Sequence, residues 1–188
     1  MMGRTHLLLG VNSVWLLALV PGAVGSHAAN IPNAADAPTL GLLAGSAALG
    51  ALLPDLDAAQ STIKFLRLGS HFQPFLLPAT LLHRTLGHRG LLHSLLGLGG
   101  FGLCVALPLG LWLGGPPALA LLLGYASHLA GDGCTKRGIP LWFPKPSRWH
   151  LLPPPWRLTT GSQAEEVVFA LLAGPALLLL LPRLLAPS

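Results

Sequence analysis

The stretch LLHSLLGLGGFGLCVALPLGLWL, residues 91–113, runs for 23 residues without a charged side chain. A bilayer core of about 30 Å takes about 20 helical residues, and about 17 suffice, so this stretch is long enough to cross a membrane. Four more apolar stretches accompany it, at residues 7–24, 39–53, 116–130 and 167–185. The first and last of these are long enough to cross. Residues 39–53 and 116–130 are short and rich in Gly and Ala, so they tilt, sit partly in the interface, or are buried by the others. The expectation is an all-α, polytopic membrane bundle with four to five embedded helices, forming a single domain over residues 1–188.

Composition agrees. Of 188 residues 52% are hydrophobic and only 9% charged, against roughly a quarter charged in an ordinary soluble domain. The mean hydropathy is +0.65. A soluble globule and a disordered chain are both excluded. Cys104 in an apolar run and Cys134 in a polar loop form neither a disulfide framework nor a CxxC metal site.

The basic residues test the layout independently, because loops retained in the cytoplasm carry excess Lys and Arg. Arg4 precedes the first stretch. Lys64, Arg67, Arg84 and Arg89 lie between the second and third, and Lys136, Arg137, Lys145, Arg148 and Arg157 between the fourth and fifth. Only Arg183 breaks the pattern. The N-terminus is therefore expected in the cytoplasm, with two long cytoplasmic loops of roughly 35 residues each, a length usually functional or disordered. Both contain aromatic residues suited to the membrane interface, among them Phe72, Trp142, Trp149 and Trp156. The formal charge of +5 then reflects the cytoplasmic face; no nucleic-acid-binding motif accompanies it. A competing reading makes Arg4, the first apolar run and Ala23-Val24-Gly25 or Ser26-His27-Ala28 a signal peptide, whose cleavage would remove His6.

Only six acidic residues occur: Asp36, Asp55, Asp57, Asp132, Glu165 and Glu166. Leu53-Pro54-Asp55-Leu56-Asp57 closes the second stretch, and its two carboxylates either offer hard oxygen ligands or begin a solvated loop after Pro54. Gly87-His88-Arg89-Gly90-Leu91-Leu92-His93-Ser94 opens the third. Two histidines five apart lie about 140° apart on an ideal helix, so they share a site only if His88 belongs to the loop. Arg89 beside them would hold an anionic oxygen, or the group is a basic cluster meeting lipid headgroups. His128 and Asp132 are i and i+4 on one helical face, either as ligands or as a hydrogen-bonded pair sealing a helix end. Ser162-Gln163-Ala164-Glu165 has capping-box spacing, so Glu165 reads first as a cap and second as a ligand.

With this topology, His6, Asp55, Asp57, His88, His93, His128, Asp132 and Glu165 all fall at cytoplasmic helix ends. Mixed imidazole and carboxylate donors suit zinc, with manganese or iron as alternatives, in one ion or more. A multinuclear centre would suit phosphoester hydrolysis.

At these residues the chain resembles the YdjM-like family of bacterial inner-membrane proteins regarded as metal-dependent hydrolases and associated with LexA regulation. The resemblance runs through Leu-Leu-Pro-Asp-Leu-Asp at 52–57, Gly-His-Arg-Gly-Leu-Leu-His-Ser at 87–94 and Leu-Gly-Tyr-Ala-Ser-His-Leu-Ala-Gly-Asp at 123–132, then Thr135, Gly138, residues 140–144 and 161–165. His6 matches the family's N-terminal His, which argues against signal cleavage. More distantly, the order of His, Asp and Glu residues is similar to the zinc-dependent phospholipase C and single-strand nuclease superfamily, and that likeness implies phosphoester chemistry. Those enzymes use a processed N-terminal residue as a ligand, whereas this chain begins Met1-Met2-Gly3; His150 is an additional candidate ligand.

The resulting expectation is a membrane-bound, metal-dependent hydrolase acting on a phosphoester, with phospholipid as a candidate because of location. His6, Asp55, His88, His93, His128, Asp132 and Glu165 are the metal-ligand candidates, Asp57 the proton acceptor and Arg89 the substrate clamp. The alternative is a non-enzymatic metal-binding or ion-transporting membrane protein. A LexA or nucleic-acid partner has no motif behind it.

Overall fold

The computed structural model describes residues 1–19, 37–57 and 90–184. Among them are six α-helices: α1 (Gly3–Ser13), α2 (Ala37–Leu52), α3 (Leu95–Phe101), α4 (Leu107–Leu113), α5 (Gly115–Gly133) and α6 (Gln163–Leu184). No strand occurs among the described residues. The all-α expectation therefore holds.

Three helices are long and apolar enough to cross a membrane: Pro38–Leu56, Leu95–Leu113 and Gln163–Leu181. The second and third are only 11% and 17% buried within the chain, so their apolar side chains face outward, as lipid contact requires. α5 has the length, but eleven of its nineteen residues are buried. Of the outcomes open to the short stretch 116–130, the structure takes burial by its neighbours. The first stretch is helical through α1 and a 3₁₀ turn, Val14–Leu19; residues 20–24 lie outside the described part, as do Asp36 and the loop 58–89.

Local chemistry explains the breaks. Between α3 and α4 the helix widens into a π turn, Gly102–Ala106, in which the Leu107 N–H bonds the Gly102 carbonyl five residues back. Pro108 follows at once. Its ring has no N–H to give and would crowd the carbonyl four residues earlier, and widening the turn is one way a helix absorbs that. Gly114, with φ of 95°, turns the chain sharply from α4 into α5, whose first turn holds Pro116 and Pro117 where their missing N–H groups cost nothing.

α2 and α5 form the centre, with α1 against both and α6 against α1. The contact is made by small residues. A Cβ on Gly50 would lie 2.0 Å from the Leu121 carbonyl oxygen, one on Gly124 2.0 Å from that of Ala47, and one on Gly10 2.6 Å from the same Ala47 oxygen. Backbone thus meets backbone, the close approach that drives helix association where lipid removes the hydrophobic incentive. Val14, Leu17, Leu40, Leu43, Ala120 and Leu179 fill the apolar core beside it.

The loop after α5 is folded back on the helix end. Lys136 N–H donates to Leu158 O at 2.9 Å and Leu158 N–H to Cys134 O at 2.9 Å. Ile139 and Trp149 exchange a pair of backbone bonds at 3.1 and 2.8 Å, and Leu151 N–H reaches Gly133 O at 2.8 Å.

Gly50→Ala should lower the thermal unfolding midpoint in detergent by an amount equivalent to about 1–3 kcal/mol, the usual cost of overpacking. Gly45→Ala in the same helix, where a Cβ meets nothing within 4 Å, should leave it unchanged or raise it by up to about 1 kcal/mol. Equal effects at the two positions would refute the close-contact role.

Candidate metal centre

Five side chains from four parts of the chain meet at one end of this bundle. His6 lies in the first turns of α1, Asp55 in the 3₁₀ turn Leu53–Asp57 that continues α2, and His93 in the 3₁₀ turn Leu91–His93 that precedes α3. His128 and Asp132 come from the last turns of α5. Since α1 and α3 begin where α2 and α5 end, an up-and-down chain brings all five to one level. His6, His93, His128 and Asp132 are fully buried. The Asp55 side chain, 20% exposed, is the member that reaches the outside.

Each is held by its neighbours. Ser94 caps α3, its Oγ accepting from Gly97 N–H at 3.1 Å and donating to Leu91 O at 2.6 Å, which fixes the turn carrying His93. The Tyr125 hydroxyl donates to Leu92 O at 2.6 Å and ties that turn to α5. His128 Nδ1 lies 2.7 Å from Ala51 O. A carbonyl can only accept, so Nδ1 carries the proton and Nε2 presents its lone pair to the cluster. The His6 ring stacks on His128 with centroids 3.7 Å apart. The Met1 amino group donates to Asp132 Oδ1, and His6 Nε2 lies 3.2 Å from that oxygen.

Two groups among these residues could hold a metal ion: His6, His128 and Asp132, and Asp55, His93 and His128. In the second, the three donor atoms form a near-equilateral triangle. His93 Nε2 to His128 Nε2 is 3.2 Å, His93 Nε2 to Asp55 Oδ1 3.6 Å, and His128 Nε2 to Asp55 Oδ1 3.7 Å. Donors about 2.0–2.2 Å from a tetrahedral zinc stand about 3.3–3.6 Å apart, so these three match one face of such a site. Asp132 Oδ2 is 3.8 Å from His93 Nε2, beside that face. A lone pair and two carboxylates turned toward one another in a dry site repel unless protons or cations lie among them, and the Met1 amino group answers one oxygen of Asp132.

The other sequence candidates fall elsewhere. His88 and Arg89 lie outside the described residues, and of Asp57 the backbone alone is described, in the turn with Asp55. Glu165 is buried at the start of α6, where Oε1 accepts from Met2 N–H at 2.6 Å, Oε2 from Gly161 N–H at 2.7 Å, and its own N–H points to Ser162 Oγ at 3.4 Å. Ser162 Oγ thus faces the Glu165 N–H as in a capping box, while the carboxylate takes the Met2 and Gly161 N–H groups rather than that of Ser162; Glu165 belongs to neither donor group. Glu166 pairs with Arg4 at the surface. His150 Nε2 lies 3.3 Å from Lys136 O in the loop, also outside both groups. Sequence reasoning missed Tyr125 and the Ala51 carbonyl. Tyr125 had a signal, as the single tyrosine of the chain three residues before His128; a carbonyl has none.

A family model described as YdjM inner membrane protein matches residues 1–185. The uncharacterized protein YvsG of Bacillus subtilis (strain 168) is 35% identical over 130 residues, covering 69% of this chain and 72% of its own length. The inner membrane protein YdjM of Escherichia coli (strain K12) is 33% identical over 127 residues, covering 65% of this chain, and the same figures hold for its counterpart in Shigella flexneri. The matched region spans 59% of the length of these two proteins. No solved structure matches.

Tyr125→Phe should cost about 1 kcal/mol, the worth of one hydrogen bond, and should speed amide exchange at His93 and Ser94 selectively. Unchanged exchange there would mean that Tyr125 does not hold the turn.

Proposed function

The chain belongs to the YdjM inner membrane protein family, and from that premise we propose that it is a membrane-bound, metal-dependent hydrolase acting on a phosphoester at the cytoplasmic face. The observation that carries the reading is the triangle of His93 Nε2, His128 Nε2 and Asp55 Oδ1, buried on one side and open at Asp55.

In this reading Asp55, His93, His128 and Asp132 hold the ion, with His6 supporting Asp132 and His128 from the side. The donor set favours zinc, with manganese or iron as alternatives. A divalent ion held there would supply Lewis acidity toward a phosphoryl oxygen and would lower the pKa of water. His128 is fixed in one tautomer by Ala51, the outer support that keeps such ligands basic and aligned. Asp57, two residues after Asp55, would accept a proton, and Arg89 would hold substrate oxygens with its planar fork. Glu165 anchors the start of α6 and the Met1-Met2 end of the chain, so its contribution is to place Met1 and His6. Lys136, Arg137, Lys145, Arg148 and Arg157 follow the same end of α5, which supports a cytoplasmic orientation for it. Phospholipid is the favoured substrate class, because the donors lie at the end of lipid-facing helices.

The transport alternative calls for polar groups continuing along the helices. The hydroxyls of Ser13 and Ser127 instead donate to carbonyls of their own helices, Gly10 O and Gly124 O, both at 2.7 Å, and the Asn12 amide donates to Leu172 O at 2.9 Å, so these groups are engaged in helix packing.

Purified wild type should contain tightly held zinc or a similar ion by elemental analysis, with His128→Ala and Asp132→Ala losing most of it and Glu165→Gln keeping it. On a panel of phosphoesters and phospholipids, Asp57→Asn should retain metal and lose about 10²–10⁴-fold in turnover, the usual worth of a general base. A well-folded wild type without metal would overturn the site; metal without turnover on any substrate would overturn the hydrolase.

A further inference from the structure

One cavity differs in character from its neighbours. Two apolar grooves, of about 510 and 420 Å³, lie along α3–α5 and between α1 and α5. A third, of about 400 Å³, lies just past the C-terminal end of α5 and is lined by Thr135, Lys136, Arg137, Leu158, Thr159 and Thr160. Its two walls are bound together by the Lys136–Leu158 and Leu158–Cys134 backbone bonds, and its floor residue Thr135 is buried, with Oγ1 donating to Asp132 O at 2.7 Å. The cleft therefore has a built shape and begins one turn beyond the donor cluster.

Its charge is unbalanced. Lys136 and Arg137 are exposed, and no carboxylate with a described side chain is within ion-pair reach of either. Asp55 and Asp132 belong to the donor cluster, Glu165 is occupied by the Met2 and Gly161 N–H groups, and Glu166 is paired with Arg4. The neighbouring Arg157 spends its guanidinium on Leu152 O at 3.0 Å. The hydroxyls of Thr159 and Thr160, which line the cleft, have no hydrogen-bond partner among the described residues. Two cations, two hydroxyl donors and a half-enclosed cavity suit a compact, multiply charged tetrahedral oxyanion. An extended polyanion would call for a basic stripe instead.

We propose that this cleft is a binding site for a phosphate group, carried either by a lipid headgroup or by a soluble phosphate compound. Its use in positioning substrate rests on the hydrolase reading above; the binding itself does not.

The test uses the full chain. In neutral detergent, inorganic phosphate is titrated by calorimetry and by ³¹P line broadening; in nanodiscs, phosphatidic acid is compared with phosphatidylglycerol in a phosphatidylcholine background. Lys136→Gln and Arg137→Gln should each weaken binding about tenfold, the loss of one charge-assisted contact, and Thr160→Val should weaken it without changing charge. Lys145→Gln and Arg148→Gln, cations of the same loop, should change it less than twofold. Binding of phosphate alone assigns a soluble ligand, and preference for phosphatidic acid assigns a lipid headgroup; both support the site when they depend on Lys136 and Arg137. Equal losses in the Lys145 and Arg148 variants, or no binding by wild type in either arm, would overturn it. His128→Ala with Asp132→Ala should still bind phosphate, whereas loss in that variant would locate the anion on the metal and overturn the cleft.

Discussion

The absence of two side chains governs this molecule. At Gly50 and Gly124 the backbones of α2 and α5 approach so closely that a Cβ on either would strike a carbonyl of the other helix. Gly50 is the neighbour of Ala51, and Gly124 lies one turn before His128 on the same helical face. The contact that packs the bundle therefore also sets the 2.7 Å bond from His128 Nδ1 to Ala51 O and, through it, which nitrogen faces the cluster. Gly10 seats α1 on the same Ala47 and brings His6 onto the His128 ring. Packing and chemistry share a single register.

Burying this many ionisable groups in so apolar a chain is costly unless each has a partner. The costs are contained in two ways. Carboxylates with a purely local role are closed off: Glu165 by two backbone N–H groups and Glu166 by Arg4. His6, Asp55, His93, His128 and Asp132 are gathered into one place, where a cation can satisfy several at once. The cluster also lies at the ends of helices, so Asp55 touches the outside while the lipid-facing faces of α3, α4 and α6 remain apolar.

Much of this was legible in the sequence, for identifiable reasons. Long uncharged runs give membrane helices whatever their packing, and the i, i+4 spacing of His128 and Asp132 puts both on one face before any tertiary contact is known. The Ser162–Glu165 spacing announced a cap, and half of it forms: Ser162 Oγ faces the Glu165 N–H, while the carboxylate turns to Gly161 and Met2. Other features depend on partners distant in sequence. The glycine contacts were hidden because Gly and Ala are abundant throughout, and only the mate on the other helix distinguishes Gly50 from Gly45. Burial of α5 by its neighbours was one of several outcomes open to a short Gly- and Ala-rich stretch. The π turn follows from Pro108, yet its exact register depends on the turn before it. The pairing of Thr135 with Leu158 across the loop carries no local signal, so the cleft it builds had none either. Asp57, His88 and Arg89 were read from motifs alone, and their side chains lie outside the described residues.

The fixed tautomer of His128 also bears on stoichiometry. Both donor groups include His128, but with Nδ1 committed to Ala51 that ring has one lone pair to give. An ion held by His93, Asp55 and His128 takes His128 away from His6 and Asp132, and the reverse is equally true. The two groups are therefore rivals for one ligand, and filling them is a competition: a second ion would have to bind without the imidazole that the first has claimed.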